Sequence, residues 1–473
     1  MLRYRSLCLP AFLALASCTS NQPSGALKIV TGEETDVFTH APVPATLVVD
    51  SYAWSGSGTA LSSTTLATVT LPATTVDLGS QPETTPSILT VTGLTSEDAG
   101  AERVFFGATI PMDFGVLDGY QNWPVFVQRT GELARMPNPP SDTRTAPTLS
   151  IVSGRDLFVG GGSESASAAT TQLYDLAVVQ PYTAPPTLPV VPRSVVFDGN
   201  VGWLFDLTSA AYFDLSSGAT STISLPSGGS SSDIAGGATI TDSSGVFYVV
   251  GGTRVSGVSA LVLEVDTANT SQSAYANGVP TWLTLNAPRL GAAATWVAGY
   301  GLVVIGGNTT ADGAGVESIE NGGTVGVPGA FAADSTTGSG AAAIDSHRVL
   351  VAGGVLSDGA TDAGVRVLDL TCRQNCAPTP CLASLPSALG SAQVFDIDSV
   401  GAIVVGDDLA GTTHVVRIAS PDASWTSCSA TEIPTKVAHT RARAVLSPPS
   451  LIVPGSFLLV GGAAGGEIEA FVP

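Results

Sequence analysis

Apolar positions in this chain come in short runs broken by clusters of glycine, proline and serine, the pattern of strands joined by turns. Between Leu27 and Pro111 the runs Thr46–Val49, Ala67–Leu71, Thr75–Leu78 and Ile88–Val91 are rich in Val, Leu and Thr and recur at intervals of roughly ten residues. That spacing predicts a small antiparallel sandwich, with Arg103–Phe106 as a closing strand. From about Tyr120 the pattern changes. Each unit reads strand, apolar strand, Gly-Gly, polar loop, strand, loop, strand. The apolar phrase is LFVGG at Leu157–Gly161, VVGG at Val249–Gly252, VVIGG at Val303–Gly307, VLVAGG at Val349–Gly354 and LLVGG at Leu458–Gly462. A weaker copy, IVVGD, stands at Ile403–Asp407.

The glycine pairs from Gly251 onward are spaced by about 50 residues, and the gap from Gly160 to Gly251 is two such units. A β-type repeat of this length predicts a β-propeller. The run before the glycines is apolar throughout, as in Leu302–Ile305, so it is expected to be an inner strand covered on both faces by neighbouring blades. The glycines then mark a tight turn and a close approach of backbones. Counting by the strands that begin near Leu157, Leu204, Val249, Val303, Val349, Ile403 and Leu458 gives seven blades, with six or eight also compatible. The unit around Trp203–Leu207 lacks the glycine pair. The last unit shows only three strands before Pro473, and Trp123–Gln128 with Glu132–Met136 is expected to supply the missing outer strand and close the ring. The alternative for the N-terminal segment is an eighth blade.

An apolar-acidic phrase follows the loop in most units: Leu173–Leu176, Val262–Asp266, Val316–Glu320, Val367–Leu370 and Ile468–Val472. One unit adds Trp282 and, after Ala287-Pro288, Arg289. Together these residues resemble the Kelch repeat. The Tyr of that pattern is clear only at Tyr174 and the Trp only at Trp282. The expected architecture is therefore all-β, a Kelch-like β-propeller over 117–473 preceded by a small Ig-like β-sandwich over 27–112.

The N-terminus changes the picture of where this molecule works. Arg3 and Arg5 precede a short apolar stretch, Leu7–Ala16, and Leu15-Ala16-Ser17-Cys18 resembles the lipobox of bacterial lipoproteins. The resemblance implies a signal peptide over 1–17, acylation of Cys18 and a tether over 18–26. Three acyl chains hold a bilayer far more durably than one, at about 0.8 kcal/mol per buried CH₂. Thr19 in place of an aspartate after the cysteine points to the outer membrane within the cell envelope. Loss of residues 1–17 removes Arg3 and Arg5 and no acidic residue, so the mature chain is two charges more negative than the formal −21. Nucleic acid and anionic lipid surfaces are thereby excluded as partners.

Of six cysteines, Cys8 leaves with the signal and Cys18 is the lipid site. Cys372, Cys376, Cys381 and Cys428 remain, an even number suited to two disulfides in an oxidising compartment. Three pairings exist; Cys372–Cys376 with Cys381–Cys428 is the expected one. Zinc is the alternative, although the C-x3-C-x4-C spacing lacks the usual C-x2-C pair.

The histidines, His40, His347, His414 and His439, fall at different phases of the repeat and are not expected to converge. A copper radical oxidase of the Kelch type would need a cysteine free for cross-linking to a tyrosine, and the mature cysteines beyond Cys18 sit in the expected disulfide region. Ser420–Trp425 begins like a sialidase Asp box without its glycine and reads as a turn that Asp422 caps. Asp312-Gly313, Asp358-Gly359 with Asp362, and Asp407-Asp408 occupy equivalent loops, where tight solvated turns are expected and weak calcium sites are the alternative.

No catalytic residue, metal ligand or cofactor is assigned. The expected role is a membrane-anchored binding scaffold for a glycan or protein. Two alternatives stand beside it, an extracellular carbohydrate-active enzyme with its pocket at the propeller channel and a purely structural envelope protein. An enzyme requires charged or aromatic side chains converging at one channel mouth, whereas a binder requires a patch on the loops.

Overall fold

The computed structural model describes residues 25–473 except 35, 55–62, 79–85, 99, 114–121, 141–142, 163–170, 243, 253–257, 267–278, 308–313, 321–322, 383 and 399. The described residues form strands and short 3₁₀ turns, with no helix long and apolar enough to cross a membrane. The proposed signal peptide, the lipid site Cys18 and most of the tether lie outside the described residues.

Among the described residues, seven four-stranded antiparallel sheets follow one another along the chain. Sheet 1 begins with Thr148–Val152, sheet 2 with Ser194–Asp198, sheet 3 with Ala238–Thr241 and sheet 4 with Ala293–Val297. Sheet 5 begins with Gly340–Ala343, sheet 6 with Ser391–Asp398 and sheet 7 with Arg443–Leu446. Within each of sheets 1 to 6 the four strands pair in sequence order. The first strands of sheets 1 to 6 lie side by side in order, and that of sheet 7 meets both sheet 6 and the first strand of sheet 1. Between sheets 6 and 7 the Gln393 amide bridges the gap, donating to the Ala444 carbonyl at 3.0 Å and accepting from its N–H at 2.8 Å.

The apolar cores follow the same circle. One cluster fills each junction between successive sheets, from Phe158, Leu204 and Phe213 between sheets 1 and 2 round to Leu157, Leu458 and Ile468 between sheets 7 and 1. A row of sheets with free ends would leave its terminal faces uncovered; here the last face meets the first. The structure is a closed β-propeller.

The strand before each glycine pair is the second of its sheet, as expected for a run apolar on both sides. Gly301–Ile305 is buried at every position, as are Asp156–Gly160 and Phe457–Val460. Fourth strands such as Thr220–Thr222 and Ser429–Ile433 carry Thr, Ser and Glu and face solvent.

In sheet 1 the repeat is offset by one residue. The left-handed pair is Gly161-Gly162, not Gly160-Gly161, because the second strand runs through Gly160. A Cβ at Gly161 would be driven into the Pro192 carbonyl oxygen, so the sharp turn against the next sheet demands glycine there. In sheet 2, where the pair is missing, Asp206–Ser209 makes a compact turn whose Asp206 N–H donates to the Ser209 carbonyl at 2.9 Å. The Ser231 hydroxyl pins both carbonyls of that turn.

Sheet 7 is completed from upstream: its three C-terminal strands are joined by Leu133–Arg135, which pairs with Ile468–Phe471. The expected closure therefore holds, but only for this part of the segment. Trp123–Phe126 pairs instead with Ala26–Val30, in parallel, and Gln128–Arg129 pairs with Arg103–Ala108. Both belong to the N-terminal unit, so the first ring strand is at Leu133, not near 117. That unit consists of a three-stranded and a five-stranded sheet packed on one core, including Leu27, Val76 and Val125 from the first and Leu47, Leu89 and Phe105 from the second.

Candidate functional site

Three places in the ring could carry chemistry: the channel, the junctions between sheets, and the face that bears the paired-glycine loops. The channel is walled by the first strands. Their side chains are mostly Ala, Ser, Thr and Val, and the charged ones are Asp198, Asp396, Asp398 and Arg443. Arg443 sits at the glycine-loop end and donates to Asp407 at 2.8 Å. The three aspartates lie toward the other mouth, with Asp198 on sheet 2 and the other two on sheet 6.

Asp396 is unusual: burial pushes its carboxyl up to about 7, and the charge of Asp398 adds to the shift. Its buried Oδ1 has no hydrogen-bond partner among the described residues. A protonated carboxyl beside an ionised one can pass a proton, but no side chain from a facing sheet joins them among the described first strands.

The junctions hold buried cations that the sequence reading did not single out as a class. Arg289, fully buried at the end of sheet 3, donates to the carbonyl of Gly306 at 2.7 Å and of Ala314 at 2.8 Å, and to Glu317 of sheet 4 at 2.7 Å. Glu317 in turn accepts from the N–H of Asn286 at 2.6 Å and of Ala287 at 3.2 Å. Burial draws the Arg289 guanidinium below its usual value, and the Glu317 hydrogen bond opposes that.

The same arrangement recurs with histidine at sheet 7. His439 places Nδ1 2.8 Å from the Gly461 carbonyl and Nε2 3.3 Å from Glu469, which accepts from the N–H groups of Lys436 and Val437. Arg144 reaches the Gly161 carbonyl at 3.2 Å, the equivalent position of sheet 1. In all three the side chain stands four residues before a first strand and contacts the carbonyl that the left-handed turn exposes. These are structural clamps; breaking the fully buried Arg289–Glu317 pair costs about 3–5 kcal/mol.

The glycine-loop face carries the polar and apolar features that project outward. Asp407 accepts from Thr413 and Arg443, and Asp408 accepts from the Thr412 N–H and faces His414 at 3.4 Å. Burial works against the imidazolium of His414, but its contacts with Glu432 at 2.7 Å and Asp408 outweigh it and raise its pKa. Asp358 accepts from the Ala360 N–H and Asp362 from the Gly364 N–H, the tight turns that the sequence suggested. Asp312-Gly313 lies outside the described residues.

Between sheets 4 and 5 this face opens into a cleft of about 600 Å³. Its floor is Ile305, Val316, Phe331 and Leu368; its polar wall is Asp334, Asp358 and Arg366. Arg366 pairs with Asp362 and, at 3.4 Å, with Asp334.

The remaining candidates fall into place as structure. Cys372 is bonded to Cys376 and Cys381 to Cys428, with Cα–Cα separations of 5.8 Å and 5.2 Å, so no thiol of the four is left for zinc or for a tyrosine cross-link. Asp422 caps its own turn by accepting from the Ser424 N–H at 2.8 Å, and Trp425 is buried in the core between sheets 5 and 6. His40, His347, His414 and His439 occupy separate elements, and no group of three or more His, Cys, Asp or Glu able to hold a metal occurs among the described residues.

No protein-family model and no curated protein matches the chain. Among solved structures it is similar to YjhT, at 13% identity and a TM-score of 0.40, covering 63% of this chain and 99% of that one. It is similar to the Pan2 WD40 domain of Neurospora crassa, at 11% identity and 0.43, covering 70% and 90%. A chain of a mitotic checkpoint complex is similar at 12% identity and 0.46, covering 73% and 91%. At these identities the likeness concerns fold alone.

Proposed function

We propose that this chain is an envelope lipoprotein whose Kelch-like propeller serves as an interaction scaffold for a protein or glycan, held at the outer membrane by acyl chains on Cys18. The N-terminal sandwich, immunoglobulin-like in this reading, is the spacer between bilayer and ring. The observation that carries the scaffold reading is the contrast between channel and face. The channel walls are mostly small or β-branched side chains, and the aspartates at one mouth are joined by no nucleophile or basic partner among the described first strands, whereas exposed Leu356 and Leu409 and the cleft between sheets 4 and 5 lie on the glycine-loop face. Loops on a rigid frame are where recognition surfaces are built.

Screening the mature chain against glycan and protein arrays and against glycoside substrates is expected to give saturable binding without turnover. Turnover that vanishes in Asp396→Asn would overturn the scaffold reading. For the anchor, metabolic labelling with an alkyne-tagged palmitate is expected to mark the native chain and to leave Cys18→Ser unlabelled and released from membranes.

A further inference from the structure

We propose that the cleft between sheets 4 and 5 is a docking slot for a basic side chain, lysine or arginine, presented by a partner polypeptide next to apolar residues. The inference rests on the scaffold reading and names the chemistry of its partner. A volume of about 600 Å³ lies within the usual range for specific ligand sites. The floor around Phe331 and Leu368 is apolar, so it would cover the aliphatic stem of a long side chain, the part such residues bury.

The charge in the wall selects the head group. Arg366 is the cation that lines the cleft, and Asp362 and Asp334 already neutralise it. Asp334 uses Oδ1 for the Thr336 N–H at 2.9 Å, while its Oδ2 meets Arg366 only at 3.4 Å, which leaves that oxygen capacity for a further donor. Asp358 adds a third carboxylate at the exposed rim. An anionic ligand would have to displace these carboxylates from Arg366 and approach a chain with 39 acidic and 18 basic residues. A cation meets complementary charge at both ranges.

The apolar half of the partner follows from the rim. Leu356 on the cleft wall is 39% exposed, and Leu409, in the equivalent loop of sheet 6, is 77% exposed. Val327, where the chain leaves the last strand of sheet 4, is 50% exposed on the same face. Isolated exposed leucines are ordinary; Leu356 stands on the wall of an acidic cleft, which offers apolar and charged contact together.

The test uses the full mature chain and end-blocked heptapeptides carrying arginine, lysine or glutamate between two leucines, with ethylguanidinium as the free cation. Calorimetric titration is expected to show saturable binding of the arginine and lysine peptides. Asp334→Asn and Asp358→Asn should each weaken it tenfold or more, and Leu356→Ser, on the cleft wall, several-fold. Asp198→Asn, at the other channel mouth, should leave it unchanged. No saturation at millimolar peptide, equal binding of the glutamate peptide, or binding unmoved by both cleft substitutions would overturn the slot. Ethylguanidinium binding as tightly as the peptide would overturn the polypeptide as its occupant. Failure here alongside saturable glycan binding would sink the slot alone, whereas turnover would sink the scaffold reading with it.

Discussion

At the scale of the residue, Asp396 is a carboxyl on which the fold and the solvent disagree sharply. In an unfolded chain its carboxyl ionises near the ordinary value of 3.8; in the ring, burial and Asp398 hold the proton to about 7. Between those values the folded state binds the extra proton, so stability falls as pH rises through the window and the full penalty is in place above it. This is the reverse of a salt-bridged aspartate, which supports a fold above its unfolded pKa. Asp396→Asn keeps the shape and removes the titration. The variant is expected to gain at least about 1.4 kcal/mol on the native chain between pH 5 and pH 8, one pKa unit's worth. Chemical denaturation at both values checks it; parallel pH profiles for the two chains would refute the assignment.

Among elements, the two disulfides do unequal work. Cys381 lies on the fourth strand of sheet 5 and Cys428 beside the fourth strand of sheet 6, so their bond ties neighbouring outer edges across a sequence separation of 47. Cys372–Cys376 closes a separation of 4 within one loop. Loop-closure entropy then assigns the first bond about 4 kcal/mol and the second about 2 kcal/mol. Replacing each pair by serine should lower the unfolding midpoint more for Cys381/Cys428 than for Cys372/Cys376, and equal losses would contradict the entropic account.

The strands around these bonds were readable in advance, because a second strand buried on both sides must be apolar throughout, as Leu302–Ile305 is. The offset at Gly160 was not readable, since three consecutive glycines hide which two take the left-handed turn. Nor was the role of His439: only a register with Arg289 shows that it occupies a clamp position, and side-chain type differs between the two. The cleft was hidden for a related reason, its walls coming from segments of two sheets joined only in space.

For the whole molecule, the stretch from Trp123 to Arg135 binds two units that the sequence pattern separates. Within thirteen positions it supplies a strand to each sheet of the sandwich and then the closing strand of the ring. Around it the Arg103 guanidinium donates to the Pro473 carbonyl at 2.8 Å, the Gly131 N–H to Val472 at 2.7 Å, and Arg135 pairs with Glu34 at 3.1 Å. An N-terminal unit hinged on a loose linker would open independently of the ring; one built into the closure cannot. Leu133 tests this, being fully buried between sheets 6 and 7 on the strand that closes the circle. Leu133→Ala is expected to cost about 2–5 kcal/mol. Because local opening propagates through cooperative units, hydrogen exchange should accelerate together in Ile468–Phe471 and in the sandwich strands Ser87–Leu94 and Arg103–Ala108. Native exchange in the sandwich beside a loosened sheet 7 would mean that the two units are only tethered, and force or binding at the ring would then not reach the N-terminal unit.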